Sequence, residues 1–110
     1  MRLTKATKAR LHDYMEGMAE KVYPKQDEEP TTFTQYRCGM AIGYLQARDI
    51  LKEASSTEEA RAKLIEEKAK FEAAAIRNWV MNMRVNHKGS AAAMQDVIGF
   101  METLEMVGGL

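Results

Sequence analysis

Residues 33–54, FTQYRCGMAIGYLQARDILKEA, decide the fold that the sequence predicts. Apolar side chains recur there every three or four positions, the period of an α-helix with one buried face. Thr32 and Gln35 match a capping box, in which the threonine oxygen accepts from the third amide of the helix. We therefore predict a helix from Phe33 to Ala54. Its apolar stripe comprises Phe33, Tyr36, Met40, Tyr44, Ala47, Leu51 and Ala54.

Three small residues of this helix, Gly39, Gly43 and Ala47, lie four positions apart and share one face. Each glycine costs about 1 kcal/mol of helix propensity relative to alanine, a cost that is tolerable where another backbone approaches closely. Small residues at this spacing also pack membrane helices, but the polar residues around them exclude a bilayer. Two interpretations remain: close packing inside the fold, which we favour, and a groove for a partner helix.

Seven residues of the segment carry a resemblance to known proteins: Tyr36, Arg37, Gly39, Gly43, Tyr44, Leu45 and Ala47. The segment resembles a helix of small helical proteins of tailed bacteriophages. The resemblance covers roughly a fifth of the chain. It implies a class, namely virion components, assembly factors or inhibitors of a host machine. It implies no catalytic residues, because function follows from sites and not from fold.

The chain before this segment predicts a first helix over about residues 4–23. Pro24 ends it, because the residue before a proline is pushed out of the helical region. Residues 24–32, PKQDEEPTT, contain two prolines and three acids and are predicted to form a loop. The inward positions of the first helix are Leu11, Tyr14, Met15, Met18 and Val22.

The chain after this segment predicts a long third helix over residues 57–86, introduced by a second capping box of Ser56 and Glu59. Residues 57–70 are heavily charged, whereas the following residues are apolar on several faces. We therefore expect the first half of this helix to project and its second half to lie in the body. The central helices are predicted to pack through Tyr36, Met40, Gly43, Tyr44, Leu51, Leu64, Phe71, Ile76 and Trp79.

A last helix is predicted over residues 91–107. Residues 87–90 form the predicted break before it, because Gly89 suits the position after a helix and Ser90 suits an N-cap. Gly108 and Gly109 end this helix. The fold class is therefore all-α: one domain over residues 1–110, a bundle of about four helices with a long third helix. The inward positions of the last helix are Met94, Val97, Ile98, Met101 and Leu104.

The composition excludes several classes of protein. Sixteen basic and sixteen acidic side chains cancel, so the chain lacks the field expected of a nucleic-acid binder. No apolar run approaches the roughly 18 residues that span a bilayer, and no signal peptide is visible. Cys38 is the single cysteine, so no internal disulfide forms. These observations predict a protein of the host cytoplasm or the virion, with no nucleic acid or membrane as partner.

Catalytic and metal-binding residues are not predicted. His12, Glu16 and Glu20 share one helix face and are of the types that bind transition metals. No E-x-x-H motif accompanies them, so a solvated polar face is the favoured interpretation. Cys38 is a possible nucleophile, but no spacing links it to His12 or to His87 as a base. The sequence predicts no cofactor and no enzymatic activity.

The strongest binding hypothesis concerns asparagines that repeat every four residues beside Trp79 and Met83. Aromatic anchors with polar neighbours mark protein interfaces. The alternative is a solvent-facing stripe with Trp79 half-buried in the core. Phe100 is a further candidate, because it lies off the apolar stripe of its helix. The candidate partner-binding residues are Asn78, Trp79, Asn82, Met83, Asn86 and Phe100.

The sequence therefore predicts a non-enzymatic protein–protein interaction protein. The first hypothesis is a small phage structural or assembly component that forms homo-oligomers or binds a larger protein partner. The alternative is a phage-encoded regulator that binds and inhibits a host enzyme or defence complex. The nine methionines are compatible with both, since methionine adapts to irregular surfaces and also fills imperfect cores.

Overall fold

The computed structural model describes residues 2–108, which contain four α-helices. They are α1 (Lys5–Val22), α2 (Thr32–Glu53), α3 (Thr57–Arg77) and α4 (Met81–Met106). The predicted all-α class with about four helices is confirmed. The predicted long third helix is wrong, because the fourth helix, with 26 residues, is the longest and α3 has 21.

The helices form two antiparallel hairpins, α1–α2 and α3–α4. In the first hairpin, Arg37 Nε near the start of α2 donates to the Val22 carbonyl oxygen at the end of α1, at 2.9 Å. In the second, the Arg61 guanidinium near the start of α3 lies 3.1 Å from the Glu105 carboxylate near the end of α4. A nine-residue linker joins α1 to α2, and a three-residue turn joins α3 to α4. Because α2 and α4 run parallel, both connections lie at the same end of the molecule.

The hairpins join along α2 and α4, which run parallel with their backbones in direct contact; we call this contact the α2–α4 seam. A Cβ added to Gly39 would lie 1.8 Å from the Asn86 carbonyl oxygen, and one added to Gly89 would lie 2.1 Å from the Tyr36 carbonyl oxygen. The buried Ser90 hydroxyl donates to the Gly39 carbonyl oxygen at 2.7 Å. Glycine is required at these positions because any side chain would collide with backbone atoms.

The seam continues along α2 at the next two small residues. A Cβ on Gly43 would lie 2.5 Å from the Ser90 carbonyl oxygen, and Ala47 is fully buried. Gly39, Gly43 and Ala47 thus lie inside the fold. Their small side chains let α2 approach α4 closely, and this leaves no groove at these positions for a helix of another protein.

The helix break predicted at residues 87–90 is wrong, because α4 runs through them. Gly89 and Ser90 are residue types common at helix ends, but here they lie within α4 and contact α2. The break lies at residues 78–80, where Asn78 Oδ1 accepts from the Val80 amide at 3.1 Å. Asparagine competes for backbone amides in this way, which disfavours it inside helices. The predicted helix over 57–86 is therefore divided between α3 and the start of α4.

The expected packing of this region is wrong for its first half and for the end of its second half, whereas Phe71 and Ala75 between them pack inward. Ala60 and Leu64, in the charged half of α3, are fully buried. Ile76 and Trp79, predicted to be core residues, are 82% and 89% exposed. Residues 57–70 therefore lie in the body rather than projecting, because Ala60 and Leu64 face the core while the charged side chains pair along α3 or, through Arg61, with Glu105 of α4. One such pair joins Lys63 Nζ to the Glu67 carboxylate at 3.4 Å, one helical turn apart.

The helix ends differ from the predictions in detail. The capping box of α2 uses Thr31 and Thr34, not Thr32 and Gln35, so α2 starts one residue earlier. Ser56 caps α3 as predicted by accepting from the Glu59 amide at 3.1 Å. The Glu59 carboxylate, however, accepts from the Ser55 amide and hydroxyl, so the second capping box is only half formed.

At the other chain end, α4 stops at Met106, one residue before the predicted end. Gly108, at φ 71°, follows with the left-handed backbone that favours glycine. Gly109, the other glycine predicted to end this helix, lies outside the described residues. Inward positions of α1 and α4 pack as the periodicity predicts, with Leu11, Met15 and Met101 fully buried.

Candidate partner-binding surface

A cluster of exposed apolar side chains lies in the turn between α3 and α4. We call this cluster the α3–α4 corner; it comprises Ile76, Trp79, Val80, Met81 and Met83. The three-residue turn brings the last turn of α3 close to the first turn of α4, and these exposed side chains all lie within eight residues of the chain around it. Contiguous apolar patches on a protein surface mark interaction sites, whereas scattered exposed apolar residues are ordinary.

The α3–α4 corner is positively charged. Residues 73–95 contain Arg77, Arg84 and Lys88 and no acidic side chain. Within residues 2–108, none of these three cations forms an ion pair or a side-chain hydrogen bond. The start of α4 has no side-chain cap, so its free amides add the positive end of a helix dipole. The corner therefore combines apolar area with uncompensated positive charge.

The structure brings four of the six predicted partner-binding residues together at the corner: Asn78, Trp79, Asn82 and Met83. Asn86 lies in the α2–α4 seam instead, where its side-chain amide donates to the Gln35 carbonyl oxygen at 3.4 Å.

Phe100, the sixth candidate, is half-buried and far along α4 from the corner. Its ring stacks on the Tyr14 ring with centroids 3.9 Å apart, so this aromatic pair joins α4 to α1. It is not the exposed aromatic that its off-stripe position predicts.

Ile76, Val80 and Met81 belong to the corner and were missed. Asn78, which breaks the helix, is the residue in the sequence that could indicate the turn at this position. Placing the turn there would have moved these three apolar residues from a helix interior to a helix end.

A polar node that the sequence did not reveal joins α1, α2 and α4. The Asp96 carboxylate accepts from the Tyr14 hydroxyl at 2.7 Å and from the Tyr44 hydroxyl at 2.6 Å. Burial, and then the hydrogen bond to Asp96, raises the pKa of Tyr14 to about 12. The same two causes raise the pKa of Tyr44 well above its usual range. The two hydrogen bonds to one carboxylate link three helices, which makes this node a structural element.

The polar face of α1 is occupied by local ion pairs. His12 Nε2 lies 3.1 Å from the Glu16 carboxylate, which also pairs with Arg48 at 3.0 Å. Across residues 2–108, no group of three or more His, Cys, Asp or Glu side chains is placed to hold a metal ion. Cys38 is a half-buried free thiol, and the ring of His87 lies against that of Phe71.

The turn between α1 and α2, residues 23–31, is held against α2; we call it the α1–α2 linker. The Glu28 carboxylate accepts from the Arg37 guanidinium and from the Lys25 amide. The hydrogen bond from Arg37, with a second from the Lys25 amide, lowers the pKa of Glu28. These bonds fix the linker and leave the neighbouring Asp27 and Glu29 exposed.

Comparisons of the chain with protein-family models, with curated proteins and with solved structures found no match. They identify neither a family nor a phage relative. Among the helices that the structure describes, none has a stretch both long enough and apolar enough to cross a membrane.

Proposed function

We propose that this chain is a non-enzymatic protein-binding protein and that the α3–α4 corner is its binding surface. The observation that carries the proposal is the exposure of Trp79 and Ile76, 89% and 82%, beside three further exposed apolar residues. Tryptophan is among the residues most enriched at the centres of protein interfaces. The fold does not use these side chains, so their burial by a partner is available as binding free energy.

The size of this contribution supports the proposal. Fully burying one large aliphatic side chain is worth about 1.5–3 kcal/mol. Burial of Ile76, Trp79 and Met81 together would offset a large part of the cost of association, which is about 4–15 kcal/mol. A partner that covers the corner therefore gains substantially from it.

The more specific form of the proposal is a small structural or assembly component of a tailed bacteriophage. The motif in α2 supports this class by resemblance, although its small residues serve the α2–α4 seam. A phage-encoded regulator that binds a host enzyme or defence complex would use the same corner. The identity of the captured protein separates these two forms.

Photo-crosslinking in the cells that naturally make the protein tests the proposal. A photoreactive phenylalanine analogue replaces Trp79 in one variant and Gln46, which is exposed on α2, in the matched control. We expect a discrete crosslinked species from position 79 and none from position 46. A virion protein or a second copy of the chain in that species supports the assembly form, and a host enzyme supports the regulator. Equal or absent crosslinking at the two positions would contradict the proposal.

A further inference from the structure

The end of the molecule that bears both hairpin turns carries two patches of opposite charge. The α1–α2 linker contains three acids and one base, and together with Arg37, which pairs with Glu28, its net charge is −1. Residues 76–84, at the α3–α4 corner, contain two bases, Arg77 and Arg84, and no acid, a net charge of +2. The linker patch lies in the connection between α1 and α2, and the corner patch covers the turn between α3 and α4 and the adjoining helix ends.

Apart from Glu28, the acids of the linker and the bases of the corner form no ion pair among the described residues. Glu28 is bound by Arg37, but Asp27 and Glu29 are exposed and form no ion pair within residues 2–108. The two cations of the corner are equally unpaired. The two patches lie at the same end of the molecule, and no ion pair joins them within residues 2–108.

The linker patch is also apolar at its margins. Tyr23 begins the linker and is 61% exposed, and Phe33 follows it at 66% exposed. The Arg37 guanidinium lies 5.7 Å from the centre of the Phe33 ring, so this ring is held near the start of α2. The linker therefore offers acids between two aromatic rings, and the corner offers bases around an indole and aliphatic side chains.

The packing order of the helices places the two patches on opposite sides of the α2–α4 seam. α1 packs on α2, α2 on α4, and α4 on α3, so the order across the molecule is α1, α2, α4, α3. The α2–α4 seam therefore lies between the two turns. A two-fold axis that crosses the end of the seam at right angles both to the helices and to this row of helices would place the linker turn of one copy against the corner turn of the other. The linker of each copy then faces the corner of the other, as an isologous interface requires.

We propose that the occupant of the α3–α4 corner is the α1–α2 linker of a second copy, in an end-to-end two-fold dimer. This inference rests on the proposed function, because it uses the same corner. Charge complementarity favours this occupant. Corner-to-corner contact would oppose like charges, and the acids of the linker at the same end repel nucleic-acid phosphates and anionic lipid headgroups.

The first test is to measure the oligomeric state of the purified protein from its mass, by light scattering and sedimentation. We expect a dimer that dissociates on dilution and on raising the salt concentration, because exposed charges are screened. The substitution Trp79→Ser should weaken dimerisation at least about 10-fold, since it removes an anchor at the interface. A monomer at concentrations up to about 1 mM, the weak limit of specific binding, overturns the inference.

Charge reversal provides the decisive control. The corner variant Arg77→Glu/Arg84→Glu and the linker variant Asp27→Lys/Glu29→Lys each oppose like charges and should each be monomeric. Mixed in equal amounts, they should form a heterodimer, because every reversed corner then meets a charge-complementary linker. A mixture that stays monomeric while the wild type dimerises contradicts the pairing of linker with corner.

The two proposals fail in different ways. A monomeric wild type removes the second copy as occupant. Crosslinking from position 79 to a different protein would then keep the corner as a binding surface. Absence of both the dimer and the crosslink would remove the corner from both proposals.

Discussion

The α2–α4 seam and the α3–α4 corner use side chains in opposite ways. The seam buries glycine, serine and alanine at the centre of the fold, while the corner leaves tryptophan, isoleucine and methionine in solvent. The seam derives its stability from two backbones in contact, which large side chains would prevent. The corner contributes little to folding and retains its apolar area for another surface. In these two regions, burial of a side chain therefore follows from contact with a facing helix and not from the size of the residue.

The largest effect is expected from widening the seam. The substitution Gly39→Ala places a Cβ 1.8 Å from the Asn86 carbonyl oxygen, a backbone atom that cannot turn away. The helices must separate, and we expect a loss of about 3 kcal/mol or more in the free energy of unfolding. Denaturant unfolding followed by circular dichroism measures this loss.

The matched control is Gly17→Ala in α1, where an added Cβ meets no atom within 4 Å. This variant should gain about 0.5–1 kcal/mol, because alanine favours the helix over glycine. If both variants shift stability in the same direction, the seam is not held by direct backbone contact.

A moderate loss in the free energy of unfolding is expected from disrupting the polar node of Tyr14, Tyr44 and Asp96, which lies beside the seam. The substitution Asp96→Ala removes the acceptor of the Tyr44 hydroxyl, and Tyr44 is only 1% exposed. An unsatisfied buried hydroxyl costs about 1–3 kcal/mol. Unfolding experiments should show this loss. The double variant Asp96→Ala/Tyr44→Phe should recover part of it, because it removes the unsatisfied group. Full additivity of the two substitutions would show that the pair does not interact.

Alkaline pH probes the same node without mutation. Tyr14 ionises near pH 10.0 when unfolded and has a folded pKa of about 12; the pKa of Tyr44 is raised as well. Because folding favours the protonated hydroxyls, their contribution is complete below pH 10 and is lost as the pH rises towards 12. Unfolding midpoints measured across this range should fall. The fall should be smaller in Tyr14→Phe, and an equal fall in that variant would exclude Tyr14 as a cause.

The sequence predicted those parts of the fold that follow from local rules. The periodicities placed α1 and α2 within one residue at each end, and they identified Leu11, Met15 and Met101 as core residues. Local patterns could not show that Gly89 and Ser90 contact α2. Both residues resemble end signals when considered alone, and only the parallel approach of a helix 50 positions earlier (Gly39 to Gly89) assigns them to the middle of α4.

The sequence predicted only part of the candidate site, because the rest depends on contacts between helices. Trp79 was selected as an interface anchor from its type and neighbours, while its position at a turn was not foreseen. The node of Tyr14, Tyr44 and Asp96 was missed because its members come from three helices with no fixed spacing. Contacts of this kind depend on how helices are arranged and not on the pattern within any one of them.

The smallest effect on stability is expected at the corner, and it separates the two regions most clearly. Trp79 is 89% exposed, so Trp79→Ala should change the free energy of unfolding by less than about 0.5 kcal/mol, the usual range for surface substitutions. Thermal and denaturant unfolding followed by circular dichroism measure this change at protein concentrations low enough for the monomer. Leu64→Ala on α3, which truncates a fully buried side chain, provides the contrast and should cost about 2–5 kcal/mol. A loss at Trp79 as large as that at Leu64 would make the tryptophan a core residue and remove the main support for a binding surface at the corner.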